Sequence, residues 1–362
     1  MRHVLGQDRA IEILQSALRG GRVHHAWIFH GPTGVGKRTT AEAFAATLLD
    51  PDAQADLSGA IEADPEGATA RRIAAGTHPD LHLVTKELAS YSSDGDVRRR
   101  KQITIPVQVI REFLVDPAHL SAHERAEARA RKVFIVDESE LMAREAQNVL
   151  LKTLEEPPSG TVIILVTANA DRLLPTIHSR CQRVAFTPLS PDAMAQWIDR
   201  RATEESMSEG HRRWLERFAQ GSPGLAELAL ENNLYEWFVT LDPMLRELRA
   251  GRYPATMGGV MNKLIDSFAK AWVKSRENAS KDAANKAGAR YLFVLLSEEV
   301  RDWIRADLEA GEPVDDHLVA LDRIHDAERQ LYSNVNLGLL LDELVAQWAE
   351  AEPVGDSWFN LK

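Results

Sequence analysis

The stretch HAWIFHGPTGVGKRTTAEAF, residues 25–44, joins an apolar run, a glycine-rich turn and a helical pattern. The opening HAWIFH is a candidate strand, because aromatic and β-branched residues dominate it. Gly31, Gly36 and Lys37 then match the phosphate-binding pattern G-x-x-x-x-G-K-[ST], in the strand–turn–helix context that the pattern requires. In such a loop, successive backbone amides point at phosphate oxygens just before a helix begins. The stretch therefore predicts an α/β domain built around a nucleotide-binding loop.

One position of this loop departs from the pattern. Arg38 stands where a Ser or Thr hydroxyl should coordinate magnesium, and Thr39 points about 100° away around the helix. Gly34 and Lys37 remain in place for phosphate contacts, with Lys37 expected at the β- and γ-phosphates. Three interpretations stay open: a loop that still hydrolyses a nucleotide, a loop that holds ATP or ADP without hydrolysing it, and a glycine turn without a ligand. In the second, magnesium is doubtful and Arg38 supplies the positive charge.

A second motif lies about 100 residues further on, in KVFIVDESE. The apolar run predicts a buried strand, and Asp137 at its end is the candidate metal ligand of a nucleotidase. Glu138 is the candidate for polarising the attacking water. Solvated acids at a strand end are the alternative, so both residues are either catalytic or vestigial.

The remaining patterns divide the chain into an α/β part and a helical part. Candidate strands are 25–30, 81–85, 132–137 and 161–167, with a helix over 143–156, an insertion at 50–77 containing a helix at 66–75, and an exposed loop or hairpin at 87–101. Predicted helices beyond residue 190 are 209–219, 224–231, 259–274, 288–310 and 316–350. These patterns predict an α/β domain (1–188), a small helical lid domain (189–233) and an all-α collar domain (234–362).

Composition excludes several classes of protein. A formal net charge of −11 argues against a free-standing nucleic-acid wrapper, because such binding depends on cationic surface. The one cysteine, Cys181, excludes an internal disulfide and a four-cysteine zinc site, and no metal site is predicted. The start MRHVLGQDRA has no apolar signal core, and no stretch has the roughly 20 apolar residues of a membrane span. A cytoplasmic protein without membrane contact is therefore expected.

Two further features are candidates for function. Ser179, Arg180 and Cys181 follow one another in TIHSRCQRVAF, where the alternatives are a surface ion pair for Arg180 and simple packing for Cys181. The basic run RRRK (98–101) is either a solvated loop or a contact to DNA phosphates.

Together these segments resemble the clamp-loader branch of the AAA+ ATPases, a P-loop domain with a parallel sheet followed by helical domains. The resemblance is carried by VLGQDRAIEILQSAL (4–18), by the phosphate loop, and most specifically by NVLLKTLEEPPSGTVIILVTANADRLLPTIHSRCQRVAF (148–186). It covers about the first 230 residues. It implies that Gly6 and Gln7 lie near an adenine pocket and that Arg180 acts in trans, as an arginine finger at a neighbouring subunit's ATP site.

Within that branch, three features favour a subunit that does not hydrolyse ATP over the motor subunit called gamma or tau. AAGTHPDLHLV (74–84) and the collar-like AERQLYSNVNLGLLLDELV (327–345) are similar to the non-motor type. Gly221-Ser222-Pro223-Gly224 falls where the motor carries its sensor-2 arginine, which is missing here. Many relatives also carry four zinc-binding cysteines between the loop helix and HPDL, whereas residues 50–77 contain none, so zinc is not carried over. The sensor-1 position falls on Ala168, with a register uncertain by one residue, and a polar sensor is doubtful.

The resemblance implies partners as well as a role. They are the gamma/tau motor subunits and the delta subunit of the clamp loader, the sliding clamp, and primed DNA reached through the complex. Three alternatives remain: an active motor-type ATPase, a scaffold in which Arg180 is structural, and a DNA-binding switch acting through residues 98–101.

Overall fold

The computed structural model describes residues 1, 4–99, 103–123, 128–201, 207–275, 280–331 and 335–350. It divides into two compact units, one formed by Met1–Glu204 with Gly221–Gly224, the other by Glu205–Gln220 with Leu225–Lys362. The first unit contains every described strand and the second is helical. The boundaries predicted for three separate domains stay a prediction.

The first unit is built on a five-stranded parallel sheet of order β4-β5-β6-β1-β7. Its strands are β1 (Ala26–His30), β4 (Leu81–Val84), β5 (Lys132–Val136), β6 (Thr161–Thr167) and β7 (Gln182–Ala185), and a separate hairpin contains β2 (Gln54–Ala55) and β3 (Ile61–Glu62). Each residue of β5 and β6 is buried, which explains why their sequences are almost continuously apolar. The predicted α/β class with a parallel sheet is confirmed.

Helices cover both faces of this sheet. The helices of the first unit are α1 (Asp8–Arg19), α2 (Lys37–Leu49), α3 (Ala68–Ala74), α4 (Gly95–Arg99), α5 (Val107–Ile110), α6 (Asp116–His119), α7 (Arg144–Glu155), α8 (Pro175–His178) and α9 (Pro191–Arg201). On one face Phe44 of α2 packs edge-on against Trp27 of β1, and both side chains are fully buried. On the other face Leu150 of α7 lies in one cluster with Phe134. Burial of each such side chain contributes about 1.5–3 kcal/mol.

The second unit is formed by long helices. They are α10 (Glu209–Ala219), α12 (Leu234–Arg249), α13 (Met257–Ser275), α14 (Lys281–Ala310), α15 (Asp315–Gln330) and α16 (Leu337–Ala349), and α11 (Pro223–Glu231) crosses from the first unit into this one. Helix α14 packs against α13 and α15, and α16 packs against the same two helices. The predicted all-α C-terminal region is confirmed. None of the described helices is long and apolar enough to cross a membrane.

Three local predictions differ from the structure. The insertion at 50–77 contains the expected helix as α3 but also the hairpin β2–β3, which is too short to leave a periodic pattern. The described part of the predicted loop or hairpin at 87–101, residues 87–99, is neither, since Lys86–Tyr91 is a 3₁₀ helix and α4 follows it. Asp94 initiates α4 by accepting a hydrogen bond from the Asp96 amide at 2.8 Å. The helix predicted at 316–350 is two helices, because Asn336 begins α16 by accepting from the Leu339 amide.

Candidate functional site

The phosphate loop connects the end of β1 to the start of α2, at the carboxyl edge of the sheet. Gly31 and Gly34 have φ angles of 140° and 77°, which side chains other than glycine rarely adopt. A Cβ atom on Gly34 would also lie 2.3 Å from the Ser222 hydroxyl oxygen. Among the described residues no protein acceptor is found for the backbone amides of Gly34, Gly36 and Lys37. These unpaired donors at a helix N-terminus form a concave surface suited to an anion.

Lys37 is turned back onto its own loop. Its ammonium group donates to the carbonyl oxygens of Gly31, at 2.6 Å, and of Pro32, and the residue is only 6% exposed. Burial lowers the pKa of Lys37, and the nearby carboxylates of Glu140 and Asp137 oppose this effect. A phosphate entering the loop would therefore replace two carbonyl acceptors with a charge-assisted partner.

Arg38 pairs with two acids across the position expected for a metal ion. Its Nε donates to Glu42 at 2.9 Å, and its Nη1 donates to Asp137 at 3.3 Å. Burial acts to lower the pKa of Arg38, but the hydrogen bonds and charges of Glu42 and Asp137 raise it overall. Burial also raises the pKa of Asp137, and the Arg38 charge opposes that rise. The metal-binding acid of the motif therefore has a fixed organic cation beside it.

Glu138 is also engaged within the chain. Its carboxylate accepts a hydrogen bond from Lys86 at 2.5 Å, and its backbone lies in the left-handed region at φ 48°. Sequence reasoning missed Lys86, because 52 positions separate it from its partner. It also missed Glu140, one oxygen of which is buried without a hydrogen-bond partner among the described residues. Glu140 is the last residue of the KVFIVDESE motif and could have been selected as a third acid, whereas Lys86 lies in no motif.

Gln7, one of the two residues implied at an adenine pocket, is buried and fully engaged with the backbone. Its Nε2 donates to the Val35 carbonyl at 3.1 Å and to the Thr187 carbonyl at 2.7 Å, and its Oε1 accepts from the Thr187 amide at 3.3 Å. The preceding Gly6 has a φ of 67°. Thr39 is exposed, one residue beyond Arg38. The structure thus places Gln7 beside Val35 of the phosphate loop.

The segment Gly221–Gly224 lies directly against the loop within the first unit. The Gly224 amide donates to the Gly34 carbonyl at 2.8 Å, and the Ser222 hydroxyl donates to the Thr33 carbonyl at 3.1 Å. The contact between Gly224 and Gly34 is backbone to backbone, because a Cβ on Gly224 would lie 2.6 Å from Gly34 Cα. The segment in place of a sensor-2 arginine therefore supports the loop through one main-chain hydrogen bond and one from the Ser222 hydroxyl.

Arg180 lies in the short connection between α8 and β7, about 140 positions after the phosphate loop. Its Nη1 donates to the Thr176 carbonyl at 2.8 Å, its Nη2 pairs with Glu155 at 2.5 Å, and 32% of its side chain is exposed. Burial raises the pKa of the neighbouring Cys181 to about 12, so its thiol is protonated at neutral pH. That state is typical of a packing residue.

The basic run at 98–101 and the sensor-1 position make hydrogen bonds and ion pairs within the described part of the chain. Arg98 folds back to donate to the Ser92 and Ser93 carbonyls and Arg99 pairs with Asp96, while Arg100 and Lys101 lie outside the described residues. At the sensor-1 position, Ala168 donates its amide to Glu140, and Asn169 caps the turn that follows β6. No group of three or more His, Cys, Asp or Glu side chains is arranged to hold a metal ion in the described ranges.

Comparisons with known proteins agree with this architecture. Residues 6–190 match a family model described as DNA polymerase III, delta subunit. The chain is 31% identical over 230 residues to DNA polymerase III subunit delta' of Bacillus subtilis, covering 64% of this chain and 61% of that protein. It is 35% identical over 198 residues to subunit delta' of Pseudomonas aeruginosa, covering 54% and 53%. Against subunit tau of Escherichia coli it is 31% identical over 224 residues, covering 60% and 30%.

The parallel sheet and the glycine-rich loop between β1 and α2 define a P-loop α/β protein, followed along the chain by a helical unit. Within that class, the chain belongs to the DNA polymerase III family that the model describes, alongside its delta' relatives. The predicted resemblance to a clamp-loader subunit of the non-motor type is confirmed at the level of family. The chain spans between a half and two thirds of the length of the delta' proteins that it matches.

Proposed function

We propose that this chain is a delta-prime subunit that takes part in ATP-dependent loading of a sliding clamp onto primed DNA, without hydrolysing ATP itself. Its proposed partners are the gamma/tau motor subunits and the delta subunit, with the clamp and DNA reached through the assembled complex in the cytoplasm. Family membership over residues 6–190 is the observation that carries this proposal.

The proposed contribution of the chain is Arg180, offered to the ATP site of a neighbouring motor subunit. An arginine placed at a γ-phosphate in trans contributes about 10³–10⁵ in rate in related nucleotidases. The side chain is partly exposed, and Thr176 and Glu155 hold its guanidinium at one edge. A guanidinium has five donors, so donors remain for a phosphate. The Glu155 contact also costs the finger little, because an exposed ion pair is worth only about 0–1 kcal/mol.

The chain's own site supports a subunit without hydrolysis. Asp137 is paired with Arg38, and Glu138 is paired with Lys86. A nucleotidase needs the first acid to hold the metal and the second to orient water. Neither carboxylate is free for that work in this arrangement.

The test is reconstitution of the complete clamp loader with variants of this chain. Arg180→Ala is expected to lower DNA-stimulated ATP turnover of the complex by about 10³-fold or more per affected site. Turnover at the remaining sites is measured separately by single-turnover kinetics. The matched control is Glu155→Ala, which removes the intrachain ion pair but keeps the guanidinium.

The two variants separate a finger from a structural residue. If Arg180 is a finger, Arg180→Ala lowers turnover while Glu155→Ala leaves it near the wild-type rate. A scaffold would give the same result for both variants, either full activity or an equal loss with poor assembly. Either of those outcomes overturns the finger.

The similarity to subunit tau supports one competing function, an ATP-hydrolysing motor subunit. This function requires magnesium-dependent turnover by the isolated chain that Lys37→Ala abolishes. The proposed function requires no turnover by the isolated chain, with activity appearing only in the mixed complex.

A further inference from the structure

The residues around the phosphate loop do not fit a magnesium ion. In a P-loop the ion is held by the hydroxyl that follows the lysine, by a strand-end acid and by phosphate oxygens. Here the hydroxyl is replaced by Arg38, and the strand-end acid Asp137 already accepts a hydrogen bond from that guanidinium. A dication at this position would meet a fixed positive charge and would find one protein ligand fewer.

The parts of the loop that contact phosphate are nevertheless present. The amides of Gly34, Gly36 and Lys37 have no protein acceptor among the described residues. The Lys37 ammonium rests on two carbonyl oxygens of the same loop, from which a phosphate can displace it. The loop has therefore kept its anion-binding backbone while losing its metal ligand.

Arg38 is placed to take over the charge of the missing metal. About half of its side chain is exposed, and its Nε and Nη1 are held by Glu42 and Asp137. No hydrogen bond involves its Nη2 group within the part of the chain that the structure describes. A guanidinium is permanently charged and presents its donors in a planar fork suited to phosphate. Glu42 of α2 and Asp137 at the end of β5 thus hold the guanidinium, and its Nη2 donors are left for a phosphate bound at the loop.

We infer that this loop binds a nucleoside di- or triphosphate without magnesium, with Arg38 in the place of the ion. The inference goes beyond the proposed function, which needs no nucleotide at this site. It implies a bound nucleotide that stabilises the subunit and is not turned over, because Asp137 and Glu138 are both paired.

The experiment is calorimetric titration of the full chain with ATP and with ADP, in magnesium-containing buffer and in EDTA. Both nucleotides are expected to bind in EDTA, with dissociation constants equal to or lower than those measured with magnesium. Magnesium neutralises part of the phosphate charge that Arg38 and Lys37 would otherwise meet.

Two variants and one control identify the residue responsible. Arg38→Thr restores the usual hydroxyl, so binding in EDTA is expected to weaken by about tenfold or more while a magnesium requirement appears. Arg38→Lys keeps the charge and is expected to retain binding in EDTA. The control Arg71→Thr removes an equal charge from α3, in the same unit, and should leave both constants unchanged. Circular dichroism checks that each variant is folded.

Three outcomes would overturn the inference. They are no binding in either buffer, binding that magnesium strengthens by about tenfold or more, and an Arg38→Thr variant that binds in EDTA like the wild type. None of these outcomes bears on Arg180, whose role is measured in the reconstituted complex. A failure here and a failure of the proposed function are therefore distinguishable.

Discussion

At the scale of single residues, Gln7 shows how a side chain implied at a nucleotide pocket acts in the structure. Its amide satisfies three backbone groups at once, two from Thr187 and one from Val35 in the phosphate loop. The Gln7 side chain and Val35 are buried, so the Val35 carbonyl would lose its partner away from water, whereas Thr187 is exposed and its groups can reach water. An unsatisfied buried polar group costs about 1–3 kcal/mol.

Gln7→Leu is therefore expected to destabilise the first unit by about 1–3 kcal/mol, mainly because the buried Val35 carbonyl loses its donor. Thermal unfolding followed by calorimetry measures this as an earlier first transition, while the transition of the helical unit stays in place. Gln182→Leu is the control, because Gln182 is exposed on β7. A Gln7→Leu variant that unfolds like the wild type would show that water replaces the side chain.

Residue patterns predicted half of the candidate site. Arg38, Asp137 and the loop glycines each occupy a defined place in a motif, and their spacing along β1, α2 and β5 brings them together. The pairing of Lys86 with Glu138 could not be predicted, because it depends on how the turn after β4 lies beside β5. The hydrogen bond from Ser222 to Thr33 of the loop could not be predicted either, since 189 positions separate these two residues.

At the scale of elements, the start of α11 and the phosphate loop approach each other backbone to backbone at Gly224 and Gly34. The Gly34 and Gly224 backbones approach so closely that a Cβ on Gly224 would lie 2.6 Å from Gly34 Cα. Real Cβ contacts are not this short, so one of the two elements would have to move. The atoms that would collide belong to the backbone, which cannot move aside as the end of a flexible side chain can.

Gly224→Ala is expected to lower the stability of the first unit by about 1–2 kcal/mol, since overpacking outweighs the gain in helix propensity. The melting temperature of that unit should fall by about 2–8 °C. Gly259→Ala in α13 is the matched control, because a Cβ there meets nothing within 4 Å and the helix propensity improves. Equal melting of the Gly224→Ala chain and the wild type would contradict the close approach.

Elements with strong periodicity or long apolar runs were predictable, and short polar elements were not. Strands β1, β4, β5 and β6 lie within one residue of the predicted ends, because each is a mostly apolar run, and β5 and β6 are buried throughout. The strand β7 has only Val184 buried, so its pattern is too weak to separate it from a loop. The 3₁₀ helix and α4, over residues 86–99, are stabilised by local hydrogen bonds of Asp94 and Arg98. The sequence analysis interpreted both as residues of a loop or hairpin.

At the scale of the whole molecule, the helical unit contains a buried charge network of its own. Glu299 of α14 is only 3% exposed and accepts a hydrogen bond from the Trp214 indole at 2.9 Å. Arg217 of α10 pairs with Glu299 at 3.2 Å and with Asp302 at 2.6 Å, and its guanidinium lies over the Phe238 ring. The network joins α10, which the sequence analysis assigned to a lid domain, to α14, which it assigned to a collar domain, within one compact unit.

Arg217→Ala is expected to destabilise the helical unit by about 2–3 kcal/mol at neutral pH, less than for a fully enclosed pair because Arg217 is partly exposed. Burial raises the pKa of Glu299 above its ordinary value and Arg217 opposes this rise, so the variant should raise it further. A raised folded-state pKa means that the native state binds the proton more tightly. The contribution of Glu299 to the free energy of unfolding is therefore fully present at low pH. It is lost as the pH rises from the ordinary glutamate range through the pKa of the folded state.

The measurement is the unfolding transition of the helical unit at pH 5 and at pH 8. The loss caused by Arg217→Ala should be larger at pH 8, where Glu299 must ionise without its partner. Adding Glu299→Gln should recover most of the stability and remove the pH dependence, because no buried charge then remains unpaired. An equal loss at both pH values, with no recovery in the double variant, would mean that Arg217 stabilises the unit by its contact with Phe238 and not by its charge.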